Sequence, residues 1–549
     1  MLSEPRRIVR SPSLLANWAV ASAAGAGVLL ASLVNLLNYN SYSLAAPEVL
    51  WVSGGIVWLA LAGGAIYLLA PNPVRAVIDA LLVFLAIDLN FDSTLFAVAA
   101  GVATLALALW RRRPLAPVIA FMAGVVLLLN LGTAMMSRPK PVPAVTRGAH
   151  PEQPALLHVI LDEHIGIEGL PADNPQTPAV RKMLLERYVS EGFRLYGRAY
   201  SEHFHTANAV PQIVNFGETQ SQTAGPMEKG VKVPTNRYFD YLRGRGYAIN
   251  VYQNDWIDFC DGRKVRCASY TSGGLEGVKP AALSTVDKAE LIALNLMALS
   301  PLGRAAPRHY DRAVMKLREA GLPAPPLIGA GARATAGLNT LAMTRTLMAD
   351  LRQAHGGEAY VAHLLLPHYP YITDPDCKVR PHAQWNYGKH EPVMRHGEAG
   401  YFDQIACATS LVENAVRALE NSPSRNNFIV VVHGDHGSRM TTQDPRLGRT
   451  VSDRDMIASY STLFAVRAPG IAPGYDPRPA AVPALLKGLV QSDFTRAPVP
   501  AGRGIVFLED DDRNPSSRVV LPAAWLGLDQ SPSTFRQFRS SNAETRTED

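Results

Sequence analysis

The first quarter of the chain lacks charge over long stretches. No charged residue lies between Arg10 and Glu48, and none lies in 114–137. Uncharged apolar runs of this length do not suit the surface of a soluble domain, but they are long enough to cross a bilayer. Residues 1–137 are therefore predicted to form a membrane domain.

Cysteine is scarce. The chain has only Cys260, Cys267, Cys377 and Cys407, and no two of them stand in Cys-x-x-Cys spacing, which argues against a cysteine-based zinc site. All four follow the membrane domain, and an even number there favours disulfides in an oxidising compartment. Cys260 and Cys267 enclose a short polar loop and are predicted to pair, which leaves Cys377 with Cys407.

The sequence also lacks an interleaved basic and aromatic patch of the kind that binds nucleic acid, although its net charge is +6 and its pI is about 9.0. The basic residues instead flank apolar runs, as around membrane spans. Five spans are predicted, with Arg75 and Arg111 on the cytoplasmic side and Glu48 and Asp92 outside. The approximate bounds of these spans are 14–38, 49–74, 76–89, 93–110 and 114–137.

Residues 138–153 form a proline-rich linker, and 154–529 alternate strand-like and helical segments. This alternation predicts an α/β domain with a mostly parallel sheet covered by helices. Within it, 300–335 is expected to be irregular, and 530–549 is expected to be a disordered tail. The predicted strands are 157–161, 247–252, 358–364, 428–433, 461–466 and 504–508. The predicted helices are 176–191, 234–244, 283–299, 336–355, 399–420 and 480–491.

Two of the predicted strands end in acidic residues. The apolar run 429–432 leads into Asp435 and His436, and 157–161 leads into Asp162 and Glu163. Because open α/β sheets place their chemistry at the carboxyl ends of strands, we expect these side chains to meet there and bind a divalent cation. The simpler alternative is a pair of strands followed by polar turns.

Three more residues are candidates for chemistry. His363 and His368 lie near the end of another predicted strand, and Thr206 lies in a His-rich loop before a predicted helix. A lone histidine is commonly structural, and Thr206 could serve only as a helix N-cap. An alcohol beside a divalent cation is, however, a suitable nucleophile.

The order of these motifs resembles the alkaline phosphatase/sulfatase superfamily. The nearest likenesses are to membrane-anchored phosphoethanolamine transferases, lipoteichoic-acid-synthase-like enzymes and uncharacterised sulfatase-like membrane proteins. The matching features are Thr206-Ala-Asn-Ala-Val-Pro211, His363 and His368 before Pro370, Asp435-His436-Gly437, and the loop from Asp255 to Cys267.

The resemblance implies a multi-pass enzyme of the bacterial inner membrane. Its catalytic domain is expected to face the periplasm. It implies that Thr206 is the nucleophile, that His363 or His368 assists, and that zinc or manganese is the cofactor. The predicted metal ligands are Asp162, Glu163, Thr206, Asp435 and His436.

The resemblance further implies that the enzyme moves a phosphorylated headgroup from a membrane phospholipid to an envelope acceptor, lipid A or a periplasmic glycan, through a phosphothreonine. The alternatives are a sulfatase-like hydrolase or phosphodiesterase and a non-catalytic envelope scaffold.

The chain departs from the pattern in three places. The transferases usually carry Gly-Glu where this chain has Asp162-Glu163, which leaves open which of the two carboxylates is the ligand. Ala209 stands where ordinary sulfatases carry the residue converted to formylglycine, which disfavours that chemistry. No histidine follows His436, whereas the transferases have one, and Arg439 is the nearest cationic residue.

The predicted topology can be tested with reporter fusions. A reporter that is active only outside the cytoplasm should be active when fused after residue 150 and silent when fused at residue 112, because the fifth span separates the two positions. The opposite pattern would reject the outward placement of the α/β domain.

Overall fold

The fold is taken from a computed structural model. It describes residues 14–91, 93–111, 114–136, 143–218, 231–260, 262–300, 335–385, 394–441, 443–501 and 504–509, together with short pieces at 303, 309–310, 313–314, 316–317, 515–520, 535–537 and 546–547.

The chain divides into two compact units. The membrane unit comprises Met1–Lys140, Gly273–Lys279 and Leu283–Ala334, and the α/β unit comprises Pro141–Ser272, Pro280–Ala282 and Thr335–Asp549. The membrane unit therefore includes segments that lie far along the chain from its apolar helices. The sequence analysis had placed these segments in the exported domain.

Five helices open the membrane unit: α1 (Leu14–Tyr39), α2 (Pro47–Leu69), α3 (Asn72–Asp88), α4 (Thr94–Arg111) and α5 (Ala116–Met136). By length and composition, α1, α2, α4 and α5 could each cross a membrane. Helix α3 has 17 residues and contains three charged ones, Arg75, Asp79 and Asp88. Four of the five predicted spans thus have a matching helix of sufficient length, and the outward placement of the α/β unit stays a prediction.

The charges of α3 are satisfied inside the unit. Asp79 is fully buried; its carboxylate accepts hydrogen bonds from the Tyr67 hydroxyl (3.1 Å) and from the Leu115 amide (2.8 Å). Arg75 donates to the carbonyl oxygens of Tyr67 and Leu68. Asp79 therefore joins α2, α3 and the start of α5, which explains how a buried carboxylate is tolerated there.

A sixth helix of this unit, α9 (Thr285–Ala298), packs on α2. It begins at a capping box formed by Ser284 and Asp287. Nearby, the Asn40 side chain accepts a hydrogen bond from the Leu275 amide (2.8 Å), and Ser300 donates to Asp88. The prediction of a helix over 283–299 is confirmed, and its apolar face is buried by the helices of the membrane unit.

The α/β unit is built on an eight-stranded sheet in the order β11-β2-β10-β8-β1-β7-β4-β6. Neighbouring strands are parallel except β10, which runs antiparallel to both β2 and β8. The sheet is thus mixed, with β1 at its centre between β8 and β7. The strands are β1 (Ala155–Leu161), β2 (Arg194–Tyr200), β4 (Ala248–Asn254), β6 (Arg266–Tyr270), β7 (Glu358–Leu364), β8 (Phe428–Gly434), β10 (Phe464–Arg467) and β11 (Gly474–Ala481).

Helices cover both faces of the sheet, so the central strands are apolar on both sides. In β1, Leu157 and Val159 face one core, and Leu156 and Ile160 face the other. The first core is closed by α6 (Thr177–Ser190), α10 (Ala336–Leu351) and α11 (Met394–Glu420). The second is closed by α7 (Thr206–Val214), α8 (Arg237–Gly244) and α13 (Val482–Gln491).

Smaller elements lie at the sheet margins. Helix α12 (Asp453–Tyr460) precedes β10, and the remaining short strands form separate pairings. Two of them, β14 (Phe535–Gln537) and β15 (Arg546–Thr547), fall in the predicted disordered tail, where they pair with each other; β14 also pairs with β9 (Thr450–Ser452). The rest of 530–549 lies outside the described residues. The other short strands are β3 (Val231–Lys232), β5 (Ile257–Asp258), β12 (Ile505–Glu509) and β13 (Pro515–Val520).

The predicted strands and helices are present, with ends shifted by a few residues, and most of the predicted irregular stretch 300–335 lies outside the described residues. Strands β2, β6 and β11 and helix α12 were not predicted. The structure also contains the disulfides Cys260–Cys267 and Cys377–Cys407.

Candidate active site

The carboxyl ends of β1, β7 and β8 meet at one edge of the sheet. The strands are in register, with Ile160 of β1 opposite His363 of β7 and His433 of β8. Asp162 and Glu163 directly follow β1, and Asp435 and His436 directly follow β8. The acidic strand ends predicted from the sequence are therefore brought together, and each of these four residues is almost completely buried.

Asp435 joins the two strand ends through one of its oxygens. Its Oδ1 accepts hydrogen bonds from the Glu163 amide (3.0 Å) and from the His436 amide (2.8 Å). Glu163 has a φ of 65°, a left-handed conformation that non-glycine residues rarely adopt, and its carbonyl accepts a hydrogen bond from Tyr401 (2.6 Å). The other oxygen of Asp435, Oδ2, is buried and has no hydrogen-bond partner among the described residues.

Two groups of side chains could each hold a metal ion. Asp162, His363 and Asp435 form the first group, with one possible ligand atom from each residue and all of these atoms within 4.8 Å of one another. Asp162, Glu163 and His368 form the second group, and their possible ligand atoms also lie within 4.8 Å of one another. Asp162 belongs to both, so the two groups are adjacent parts of one site.

The electrostatics of the site fit a cation. Burial and the neighbouring carboxylates of Asp435 and Glu163 raise the pKa of Asp162 well above its usual value. Burial lowers the pKa of His363 to about 4 and that of His436 to about 3. Both rings are therefore neutral at pH 7 and can act as ligands. The mixed nitrogen and oxygen donors suit zinc or manganese.

Thr206 is the first residue of α7 and lies beside this cluster. Its Oγ1 is 3.2 Å from Nε2 of His436 and 3.4 Å from Oδ1 of Asp162. The side chain is buried, and the amino-terminal end of a helix favours negative charge nearby. The structure thus places the predicted nucleophile within reach of two proton acceptors.

The orientation of His436 is fixed by its other nitrogen. Nδ1 lies 2.8 Å from the carbonyl oxygen of Gly437, so the neutral ring carries its proton on Nδ1. The lone pair of Nε2 consequently faces Thr206. His436 is in neither of the metal-capable groups, whose histidines are His363 in the first and His368 in the second. The ligand roles predicted from the sequence for His436 and Thr206 stay predictions.

Gly437 allows the end of β8 to approach α12 closely. A Cβ at this position would lie 2.0 Å from the carbonyl oxygen of Ala458. Any side chain at this position would force the backbone at 437 away from the backbone of α12. The adjacent His436 would then be displaced as well. The glycine of the Asp-His-Gly motif therefore has a steric role in the site.

Arg439, for which the sequence predicted no role, lies against Glu163. The Arg439 guanidinium is buried, and its Nε lies 2.5 Å from Oε1 of Glu163. The Nε2 atom of His368 lies 3.4 Å from the same oxygen. Glu163 is thus held between a permanent cation and an imidazole, and Arg439 offsets part of the negative charge of the cluster.

Glu509, at the end of β12, is a further residue beside the site that no pattern in the sequence predicted. Its buried carboxylate is hydrogen-bonded to His205 and accepts a hydrogen bond from Asn208 (2.8 Å). Burial acts to raise the pKa of Glu509, but hydrogen bonds from His203 and His205 bring it down to about 2. Since His205 and Asn208 flank Thr206, Glu509 fixes the segment that carries the predicted nucleophile.

No protein-family model matches the chain, and no curated protein matches it. Similar solved structures include the phosphonate monoester hydrolase SpPMH from Silicibacter pomeroyi, BT1596, which is a 2-O GAG sulfatase, and the C-terminal periplasmic domain of EcEptC from Escherichia coli in complex with Zn. These are proteins of the alkaline phosphatase/sulfatase superfamily.

The likeness to all three is distant. SpPMH is 15% identical, with a TM-score of 0.41 and coverage of 72% of this chain and 89% of its own. BT1596 is 13% identical, with a TM-score of 0.40 and coverage of 65% of this chain and 78% of its own. EcEptC is 11% identical, with a TM-score of 0.38 and coverage of 71% of this chain and 99% of its own. Identities and TM-scores this low show nothing about the chemistry of this chain. That chemistry is inferred from the geometry of its own residues.

Removal of one proposed ligand should reduce the metal content. We expect Asp435→Asn to weaken metal binding by at least about tenfold, because the amide keeps the shape of the side chain but removes the charge at Oδ2. The measurement is elemental analysis of the purified full-length protein. Asp240→Asn, at an exposed position of α8, is the matched control and should keep its metal. Full occupancy in Asp435→Asn would rule out the first group.

The interaction of Glu509 should depend on pH. Its pKa is lowered on folding, so the stability that it contributes is present above about pH 4.5 and is lost as the pH falls towards 2. We expect Glu509→Gln to lower the midpoint of thermal unfolding at pH 7 by roughly 4 °C or more, and by less at pH 3.5. Glu186→Gln, at an exposed position, is the control. An equal effect at both pH values would contradict this assignment.

Proposed function

We propose that this protein is a metal-dependent phosphotransferase of the alkaline phosphatase/sulfatase type that uses Thr206 as its nucleophile. It takes a phosphorylated headgroup from a membrane phospholipid and transfers it to an envelope acceptor, lipid A or a periplasmic glycan. The observation that carries this proposal is the position of the Thr206 hydroxyl, 3.2 Å from His436 and 3.4 Å from Asp162, beside two metal-capable groups.

Asp162, His363 and Asp435 would hold the cation, and His368 would then take part in proton transfer and not in metal binding. A divalent cation bound there supplies Lewis acidity, which favours the deprotonated alcohol and offsets negative charge on the phosphoryl oxygens. The buried Oδ2 of Asp435 and the neutral ring of His363 are the features that fit such an ion.

In the first step Thr206 Oγ1 attacks phosphorus and its proton passes to His436 Nε2 or Asp162 Oδ1. The bond between phosphorus and the oxygen of diacylglycerol breaks, and that oxygen takes a proton as it leaves. His368 suits this protonation better than His363, because its side chain is 18% exposed whereas that of His363 is fully buried. The product on the enzyme is a phosphothreonine that carries the headgroup.

In the second step a hydroxyl of the acceptor attacks the same phosphorus atom. The bond to Thr206 Oγ1 breaks, and the proton of the acceptor hydroxyl leaves through His368, while Thr206 regains the proton held by His436 or Asp162. The positive charge of Arg439 and the amino-terminal end of α7 lie beside the reacting group and stabilise its negative charge.

The same proposal includes a location in the bacterial inner membrane with the α/β unit in the periplasm. The four apolar helices support a membrane anchor. The two disulfides, with no free cysteine among the described residues, support an oxidising compartment for the α/β unit.

Substitution of Thr206 tests the mechanism. Thr206→Ala should retain its metal but lose turnover by several orders of magnitude, and Thr206→Ser should keep part of the activity because it still offers an alcohol. Ser201→Ala is the control, since Ser201 is also a buried hydroxyl in this loop. Mass spectrometry of the wild-type protein, after turnover with a headgroup-labelled phospholipid, should find the label on Thr206.

The outcomes separate transfer from hydrolysis. Label on Thr206 followed by its appearance on the acceptor supports the transferase. Label on Thr206 that is released only to water indicates a hydrolase with the same nucleophile. Full activity of Thr206→Ala would mean that water attacks the substrate directly, and the proposal would then be wrong.

A further inference from the structure

The α/β unit contains a cavity that is lined by none of the residues of the candidate active site. It has a volume of about 970 Å³ and lies between α10 and α11, within the range of ligand-binding pockets. We call it the basic groove. One wall is formed by one face of α10, the opposite wall by one face of α11, and the ends by 377–379 and 280–282.

The basic groove is apolar inside and cationic at its margin. Leu341 and Met348 of α10, with Leu411 and Ala418 of α11, supply apolar surface and are buried or half-buried. Exposed basic residues surround them: Arg345 on α10, Arg352 directly after α10, Arg417 on α11, and Lys378. The helical spacing explains this arrangement, because residues three, four and seven apart share one helix face.

The positive charge of the basic groove is poorly balanced. None of the described residues that line it is acidic. Within the described part of the chain, the guanidinium groups of Arg345, Arg352 and Arg417 have no ion pair, and Arg417 donates only to Asn414. Lys378 lies 3.8 Å from the carboxylate of Asp376. Burial raises the pKa of the Glu191 carboxyl, and Arg417 is close enough to that carboxyl to act against this rise. Surface arginines usually occur among charges of both signs, so three arginines without an ion pair around one cavity favour an anionic ligand.

The apolar interior of the groove excludes some classes of anionic ligand. A free phosphate ion would use the cationic margin but not the leucine and methionine surface. A sugar chain usually stacks on aromatic rings, and the described residues that line the groove include no aromatic one. An amphiphile with an acidic head and an aliphatic chain uses both parts, because the chain loses contact with water along the interior while the head pairs with the arginines.

The groove is also linked to the loop that follows β7. This loop begins beside His368, whose carbonyl oxygen accepts a hydrogen bond from Gln404 of α11 (2.8 Å). Ten residues later it reaches Lys378 at the margin of the groove, where the Cys377–Cys407 disulfide attaches it to the same helix.

We propose that the basic groove is a binding site for one molecule of an anionic phospholipid, with its phosphate at Arg345, Arg352 and Arg417 and an acyl chain along Leu341, Met348 and Leu411. This site is separate from the site of chemistry, and the proposal does not rest on the phosphotransferase activity. It would place a lipid against the α/β unit whatever reaction that unit performs.

The test uses the full-length protein in a non-ionic detergent and measures binding of oleoyl-lysophosphatidylglycerol. Lysophosphatidylcholine with the same chain probes the need for net negative charge, and glycerol phosphate probes the headgroup without the chain. The variant is Arg345→Glu combined with Arg417→Glu. The control, Arg243→Glu combined with Arg496→Glu, changes the net charge equally at exposed positions outside the groove.

We expect the wild-type protein and the control to bind the anionic lysolipid, and the groove variant to bind it at least about tenfold more weakly. The two other ligands should bind weakly to all three proteins. Equal binding of the groove variant, equal binding of lysophosphatidylcholine, or equal binding of glycerol phosphate would each overturn the proposal. So would binding of an acidic peptide that depends on the arginines in the absence of lysolipid binding. The groove substitutions should leave labelling of Thr206 possible, so the two proposals fail independently.

Discussion

The structure of the candidate site depends on the burial of three carboxylates at one edge of the sheet. Asp162, Glu163 and Asp435 are each at most 1% exposed, and like charges so placed repel one another in a medium of low dielectric. Backbone amides satisfy one oxygen of Asp435, and Arg439 and His368 lie against Glu163. The charge that remains, together with the two metal-capable groups, is the reason that a cation fits here.

The same constraint explains the neighbouring architecture. A buried carboxylate must be held by rigid backbone, and the in-register ends of β1, β7 and β8 provide it. Gly437 lets the segment that follows β8 pack against α12, while Tyr401 of α11 holds the left-handed backbone at Glu163. Thr206 belongs to α7, which covers the face of the sheet opposite to that covered by α11. Glu509 anchors the segment that carries Thr206 through hydrogen bonds with His205 and Asn208. The site is thus assembled from both helical layers around one strand edge.

Local patterns in the sequence were sufficient to predict the parts of this site that follow strands. The β-branched run before Asp435 and the apolar run before Asp162 identify buried strands, and polar residues at their ends identify a site. Glu509 could not be found in this way, because it stands more than 300 residues from His205 and precedes three aspartates that look like a solvated charge run. Strands β2 and β11 contain arginine, glycine or proline and lack the apolar alternation of a typical strand. The packing of α9 with the membrane helices is a tertiary contact that no local pattern specifies.

That contact has a practical consequence for the handling of the protein. Because Gly273–Lys279 and Leu283–Ala334 belong to the membrane unit, the chain passes between the two units several times instead of once. Truncation before Pro141 would remove α2 and leave Leu291, Ile292 and Leu296 of α9, which are buried in the intact chain, open to water. Such a fragment would be prone to aggregate through this helix. A water-soluble version of the α/β unit would need a short polar bridge in place of α9 as well as removal of the first five helices.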